Sequence, residues 1–221
     1  MDVGKGKTLL METIIMDEFK TIQEKFWAGE FGDEYIARNR SPELFAGNFA
    51  FFSKIIGHMA QINSILEFGA NIGLNLSVLK TLLPHAESSA VEINKQAAGI
   101  LSNNINKGKI YQQSILNFEV DYQRDFVFTK GVLIHLNPDE LDNVYQILFD
   151  SSRRYICIAE YYNPSPVSIN YRGHEGYLFK RDFVGEMMDK YPSLQLINYG
   201  FFYHRDNNFK QDDITWFLMS K

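Results

Sequence analysis

Short apolar runs alternate with amphipathic stretches through the middle of this chain, and that alternation sets the expected architecture. Met11, Ile14, Ile15, Phe19, Ile22 and Phe26 recur at helical spacing and predict a helix over 9–26. A loop over 27–40, rich in glycine and aromatics, precedes a second helix over 41–60, which Ser41 caps and Pro42 opens. Strands are then predicted over 64–67, 90–93, 110–113, 125–129 and 154–159. Helices over 71–83, 95–106 and 137–149 fall between them, with Pro84 and Gly108 as stops and Asn137-Pro138 as a capped start. A polar loop over 160–176 leads to a short helix ending near Lys190. Two apolar runs, 194–203 and 214–219, flank a turn-like segment at 205–208.

Strands alternating with helices imply parallel strands joined by right-handed crossovers. The final two strands have no helix between them, which implies an antiparallel pair at one edge. The expected fold class is therefore α/β: a Rossmann-like, mostly parallel seven-stranded sheet with an antiparallel C-terminal hairpin and an N-terminal helical lid. This ending resembles that of class I S-adenosylmethionine-dependent methyltransferases more than that of nicotinamide-binding Rossmann domains. Residues 1–60 are expected to form the helices and lid, and 61–221 the core, within one domain.

At 221 residues the chain is long enough for a full sheet and two helical layers, and 45% hydrophobic with 22% charged residues is an ordinary soluble composition. A net charge of −5 with no polybasic run makes nucleic acid a poor partner. Cys157 is the only cysteine, so no internal disulfide can form. No apolar segment of spanning length and no leading signal pattern appears, so the expectation is a cytoplasmic protein without a membrane partner. Oligomeric state has no signature.

The candidate chemistry begins at Glu67-Phe68-Gly69-Ala70-Asn71-Ile72-Gly73, an apolar run ending in a carboxylate and a glycine turn. A second run ends in Glu92, followed by Ile93. Adjacent parallel strands would bring both ends to one sheet edge, where backbone meets an adenosine-bearing cofactor and a carboxylate takes the ribose hydroxyls. After the third strand, Ser114 or the Gln113 amide could accept the adenine amino group, with Ile115 on the ring; an ordinary surface turn is the alternative. Lys130 and Gly131 follow the fourth strand. Lys130 lies between apolar residues, where an unpaired charge is costly. His135, His174 and Glu160 are the candidate proton acceptors, in that order, against the bland alternative of a helix-turn histidine satisfied by backbone.

Beyond these residues the chain resembles a known family. The blocks that carry the resemblance start with Phe26 to Tyr35, with Arg38 and Asn39, and Glu67 to Leu76. They continue at Thr129 to Leu136, at Glu160 to Pro166, at Tyr171-Arg172-Gly173-His174, at Leu178 to Phe183 and at Asp212 to Phe217. Together they resemble the methyltransferases associated with pseudaminic acid biosynthesis, from about residue 26 to the end. The resemblance implies S-adenosyl-L-methionine as cofactor, S-adenosyl-L-homocysteine as product, and methyl transfer to a hydroxyl or amino group of a sugar or nucleotide sugar in bacterial surface-glycan biosynthesis. Glu67, Gly69, Ala70, Asn71, Gly73, Asn75, Glu92, Ile93, Ser114, Ile115, Lys130, Gly131, Trp27 and Arg38 are the expected cofactor residues. Tyr35, Tyr161, Tyr162, Asn163, Arg172, Lys180 and Arg181 are expected at the acceptor; surface salt bridges are the ordinary alternative for Arg172, Lys180 and Arg181, and core packing for Trp27, Tyr35 and Arg38.

Gly4-Lys5-Gly6-Lys7-Thr8 lacks the first glycine and the preceding strand of a phosphate-binding loop. No Cys/His cluster has metal-ligand spacing, so no metal is expected. The competing functions are a methyltransferase of another small molecule or of protein, a nicotinamide-dependent oxidoreductase, and a non-catalytic cofactor-binding partner in a glycan-assembly complex.

Overall fold

The computed structural model describes residues 19–103, 105 and 109–221. Its strands are β1 (Ser64–Phe68), β2 (Glu87–Glu92), β3 (Ile110–Gln112), β4 (Arg124–Lys130), β5 (Ser152–Glu160), β6 (Val167–Tyr171), β7 (His174–Lys180), β8 (Gln195–Phe202) and β9 (Ile214–Ser220). Seven of them form one sheet in the order β3-β2-β1-β4-β5-β9-β8. The first five run parallel, and β9 lies antiparallel between β5 and β8. This is the mixed sheet expected from the sequence. The order reverses at β1, so the carboxyl ends of β1 and β4 flank the crevice where α/β sheets hold ligands.

The helices are α1 (Ile22–Ala28), α2 (Glu30–Ile36), α3 (Pro42–Ile56), α4 (Leu74–Leu82), α5 (Lys95–Leu101), α6 (Leu141–Ser151) and α7 (Phe183–Lys190). Successive β-strand side chains point to opposite faces, and each central strand is apolar on both. Ile65, Phe126, Phe128, Cys157 and Trp216 pack with Phe51, Phe52 and Ile55 of α3 and with Leu76 and Leu79 of α4. Leu66, Phe68, Val127, Ile156 and Ile158 pack with Leu148 of α6 and Met187 of α7. No described helix is long and apolar enough to cross a membrane.

Three expectations need correction. The predicted helix over 9–26 falls mostly outside the described residues. Within them a helix starts only at Ile22, where Thr21 and Glu24 form a reciprocal capping box. The expected loop over 27–40 is largely helical: α2 is followed by a 3-10 turn at Ala37–Asn39. Its Gly32 is dictated by packing, since a Cβ there would collide with the Trp27 carbonyl. The polar loop over 160–176 contains β6, which pairs with β7 as a separate antiparallel ribbon. Arg172 (φ 54°) and Gly173 (φ 89°) make its two-residue turn, both left-handed as the twist of such a ribbon requires. The glycine-lysine segment at 4–8 and the stop at Gly108 lie outside the described residues.

Candidate functional site

A cavity of about 520 Å³ opens at the carboxyl ends of β1, β2 and β4, within the size range of small-molecule sites. The turn after β1 forms one wall. Gly69 (φ 74°), Asn71 (φ 49°) and Gly73 (φ 82°) all adopt left-handed backbone. At Gly69 sterics add to this, because a Cβ would sit 2.5 Å from Val132 Cγ2. The Gly69 and Ala70 amides donate to the Val91 carbonyl at 2.9 and 3.2 Å. Glu92 fastens the turn from the neighbouring strand: its carboxylate accepts the Asn71 amide at 2.6 Å and the Asn94 amide at 2.7 Å. Glu92 is buried yet borders the cavity, and burial raises its pKa against the lowering effect of those amides.

Glu67 lies behind the turn and does not border the cavity. Its Oε1 accepts from Asn75 Nδ2 at 2.6 Å. Glu67 Oε2 and Asn75 Oδ1 are buried with no partner among the described residues. Burial pushes the Glu67 carboxyl up to about 8, against the pull of Asn75 and Lys130. Lys130 borders the cavity with its ammonium 5.5 Å from the Phe51 ring centre. Burial draws its pKa down, while Asp212, Glu67 and Glu160 hold it up. Gly131 (φ 68°) follows with open space where a Cβ would stand.

The loop after β4 depends on Glu160. Its Oε1 accepts the Val132 and Leu133 amides at 2.9 and 3.0 Å and the Thr129 hydroxyl at 3.2 Å. Glu160 does not border the cavity, so the expected proton acceptor is instead an anchor. Burial sets its pKa near 7 despite these donors. His174 is also placed away from the cavity, against the rings of Phe26 (5.0 Å) and Phe31 (5.9 Å). His135 does border it, with its ring tilted against those of Trp27 (4.6 Å) and Tyr171 (4.8 Å). Its Nδ1 lies 2.7 Å from the Tyr177 carbonyl, so Nδ1 carries the proton and Nε2 the free lone pair. Burial pushes its pKa down to about 4, keeping the ring neutral.

Of the other expected residues, Ala70, Ile93, Ser114, Ile115, Trp27, Tyr35, Tyr161 and Arg172 border the cavity. Ser114 Oγ is already committed to the Leu116 amide at 3.0 Å. Tyr35 is pushed up to about 12 by burial, and Tyr161 is raised by burial and by its hydrogen bond to Asp212. Six residues are elsewhere. Gly73 caps α4. Arg38 lies near the Phe31 and Tyr35 rings. Lys180 lies 5.2 Å from the Tyr161 ring centre, and Arg181 pairs with Glu186 at 2.7 Å. Tyr162 is exposed beside Phe217, and Asn163 donates to the Ser165 carbonyl in a surface turn. Tyr162 and Asn163 follow β5, but Tyr162 pairs there with Arg181 and neither residue borders the cavity.

Sequence reasoning missed Gln23 and Glu24 of α1, Leu44 and Asn48 of α3, and the segment His204, Lys210 and Gln211 before β9, all of which border the cavity. Asp212, the first residue of the Asp212–Phe217 stretch that carries the resemblance, borders it too. Gly47 was a legible signal: a Cβ there would lie 2.6 Å from Gln211 Nε2, and Gln211 bonds Asn48 Oδ1 at 3.1 Å. Among the described residues no cluster of His, Cys, Asp or Glu could hold a metal ion.

No family model and no curated protein matches this chain. Solved structures do. A 1,6-didemethyltoxoflavin-N1-methyltransferase from Burkholderia thailandensis, with bound 1,6-didemethyltoxoflavin and S-adenosylhomocysteine, superposes with TM-score 0.67 over 90% of this chain and 86% of its own at 11% identity. Magnesium protoporphyrin IX methyltransferase from Synechocystis PCC 6803, with bound S-adenosylmethionine, gives 0.63 over 91% and 96% at 11% identity. The glycopeptide N-methyltransferase MtfA gives 0.59 over 79% and 94% at 12% identity. The fold is that of the class I S-adenosylmethionine-dependent methyltransferases.

Proposed function

We propose that this protein is an S-adenosylmethionine-dependent methyltransferase whose acceptor is a hydroxyl or amino group of a sugar, free or nucleotide-linked, of the pseudaminic acid type. One observation carries the first part: the turn at Gly69–Gly73, Glu92 and Lys130 converge from three strand ends on one cavity. The residues fit the cofactor. Asn75 borders the cavity with its Oδ1 unpartnered and suits an ammonium group, held from behind by Glu67, and Lys130 suits a carboxylate. Each Glu92 oxygen accepts one amide and retains a lone pair for a ribose hydroxyl. Ile93 and Ile115 supply apolar surface for adenine.

When bound, this cofactor supplies a methyl group on a sulfonium. The protein's contribution is to hold the acceptor in line and exclude water. α1, α2 and the β6–β7 ribbon form a roof, joined where Gln23 Nε2 donates to the Gly176 carbonyl at 2.8 Å and where Phe26 meets Tyr177 at 4.3 Å. For a hydroxyl acceptor, neutral His135 takes the proton; for a neutral amine, positioning suffices. The sugar reading is supported by the resemblance and by the mixture of aromatic and polar groups at Tyr35, Tyr161 and Asp212, where a phenol beside a carboxylate meets sugar hydroxyls. Arg172 and Lys210 at the same end suit an acceptor with a carboxylate or phosphate.

Thermal-shift measurements with S-adenosylmethionine, S-adenosylhomocysteine and NAD(P) test the cofactor; stabilisation by the nicotinamide alone would overturn it. Transfer of labelled methyl to nonulosonic acids, free and nucleotide-linked, tests the acceptor. Turnover confined to acceptors other than sugars would overturn that part.

A further inference from the structure

The usual adenine partner in this fold is a carboxylate that follows β3, and here Gln113 and Ser114 border the cavity at that position instead. Ser114 Oγ accepts the Leu116 amide, which closes the turn at Ile115–Asn117. Hydrogen-bonding capacity is instead gathered on α1. Gln23 and Glu24 are 5% and 4% exposed, and both border the cavity. Glu24 Oε2 accepts the Thr21 amide at 2.8 Å, but Glu24 Oε1, Gln23 Oε1 and Trp27 Nε1 have no partner among the described residues. Positions 23, 24 and 27 share one helix face. Two bonds fix where that face lies. Lys20 Nζ, just before α1, donates to the Leu116 carbonyl at 3.1 Å, beyond the end of β3. Asn94 Nδ2, beyond the end of β2, donates to the Trp27 carbonyl at 3.3 Å. α1 therefore crosses above the ends of β3 and β2, over the place that Ile93 and Ile115 give to a purine.

The geometry points to α1, not the sheet, as the reader of the adenine edge: Glu24 with Gln23 accepts from the 6-amino group, and the Trp27 indole donates to a neighbouring ring nitrogen. This rests on the cofactor assignment above and deepens it. Two acceptors and one donor match adenine, which offers an amino donor next to a ring acceptor. They oppose hypoxanthine, which offers a carbonyl next to a ring N–H. Leaving such buried groups unpaired is costly, and that cost supplies the discrimination.

The test is calorimetry with S-adenosylhomocysteine, its inosine counterpart and its N6,N6-dimethyl derivative. Wild type is expected to bind the first at least about tenfold more tightly than either of the others, as loss of a buried charged hydrogen bond implies. Glu24→Gln, which places an amide N–H2 at this edge, should weaken S-adenosylhomocysteine about tenfold and narrow or reverse the preference over the inosine compound. Equal wild-type affinity for all three compounds, or an unchanged preference in Glu24→Gln, would overturn the assignment to α1. The dimethyl derivative tests it without any variant, should Glu24→Gln lose its helix cap. Failure of wild type to bind S-adenosylhomocysteine at all would instead overturn the cofactor reading.

Discussion

The Glu92 carboxylate accepts the Asn71 amide at 2.6 Å, so the end of β2 holds the turn that follows β1. One side chain thereby shapes the turn and faces the cavity. Glu92→Ala should weaken S-adenosylhomocysteine binding by an order of magnitude or more, measured by calorimetry, since bonds to charged groups contribute about 1.5–3 kcal/mol. It should also reduce stability in the absence of ligand, because two amides lose their acceptor. Glu92→Gln keeps one carbonyl oxygen and should lie between the two. Wild-type affinity in Glu92→Ala would remove this residue from the site.

Gly69 and Gly131 separate two reasons for a glycine. Both have left-handed φ, 74° and 68°. A Cβ at Gly69 would press on Val132, while one at Gly131 meets nothing within 4 Å. Gly131→Ala should therefore cost only the backbone term, about 1–2 kcal/mol. Gly69→Ala should cost more, with overpacking adding about 1–3 kcal/mol. Chemical denaturation of both variants checks the order. Equal losses would mean that Val132 yields freely.

Much of this was legible in the chain because the central strands are buried on both faces and so read as unbroken apolar runs. Phe126, Val127 and Phe128 are all at or below 1% exposure, and no surface strand would carry that sequence. The glycine turn and Glu92 were legible for a steric reason and a positional one. The β6–β7 ribbon was not: Val167 and Ile169 are both exposed, so no buried face marks the strand. α2 was hidden because Gly29 and Gly32 resemble loop residues, and Gly32 is explained only by contact with Trp27. The role of Glu160 was equally out of reach, since strand-end carboxylates look alike until their partners are known.

That partner set gives a further prediction. Glu160 binds the amides of the loop carrying His135, so Glu160→Ala should lower stability by about 3 kcal/mol as several buried donors lose their acceptor. Cofactor affinity should fall much less than in Glu92→Ala. Urea unfolding with calorimetry distinguishes this from a base role, in which stability would hold and only turnover would drop.

Glu67 predicts a proton. Its carboxyl is pushed up to about 8 by burial, so it is mostly protonated at pH 7 in the free protein. An ammonium group arriving at Asn75, which bonds Glu67, favours the carboxylate through its charge, and binding should release a proton. The observed heat of S-adenosylhomocysteine binding at pH 7 should then vary with the ionisation enthalpy of the buffer. In Glu67→Gln the variation should be reduced by the share that Glu67 contributes. Identical buffer dependence in wild type and variant would place the ammonium elsewhere.

His135 carries the opposite linkage. Its folded pKa is pushed down to about 4 from an ordinary 6.5, so the unfolded chain takes up this proton first as pH falls. The stability it contributes is fully present above pH 6.5 and is lost as pH drops toward 4, a change of about 3 kcal/mol by linkage. Glu67 and Glu160 run the other way: their raised values favour the folded state at low pH, and that advantage disappears as pH rises from about 4.5 through 7 to 8. Total stability mixes these trends, so the informative quantity is the difference between wild type and His135→Asn, whose amide can still donate to the Tyr177 carbonyl. That difference should grow between pH 4 and 6.5 and stay flat above it. A flat difference throughout would mean that His135 titrates normally and is open to water. The same variant addresses chemistry: with a hydroxyl acceptor its turnover should fall by about 100-fold or more. A loss of only a few-fold would leave His135 as a wall of the site and point to an amine acceptor.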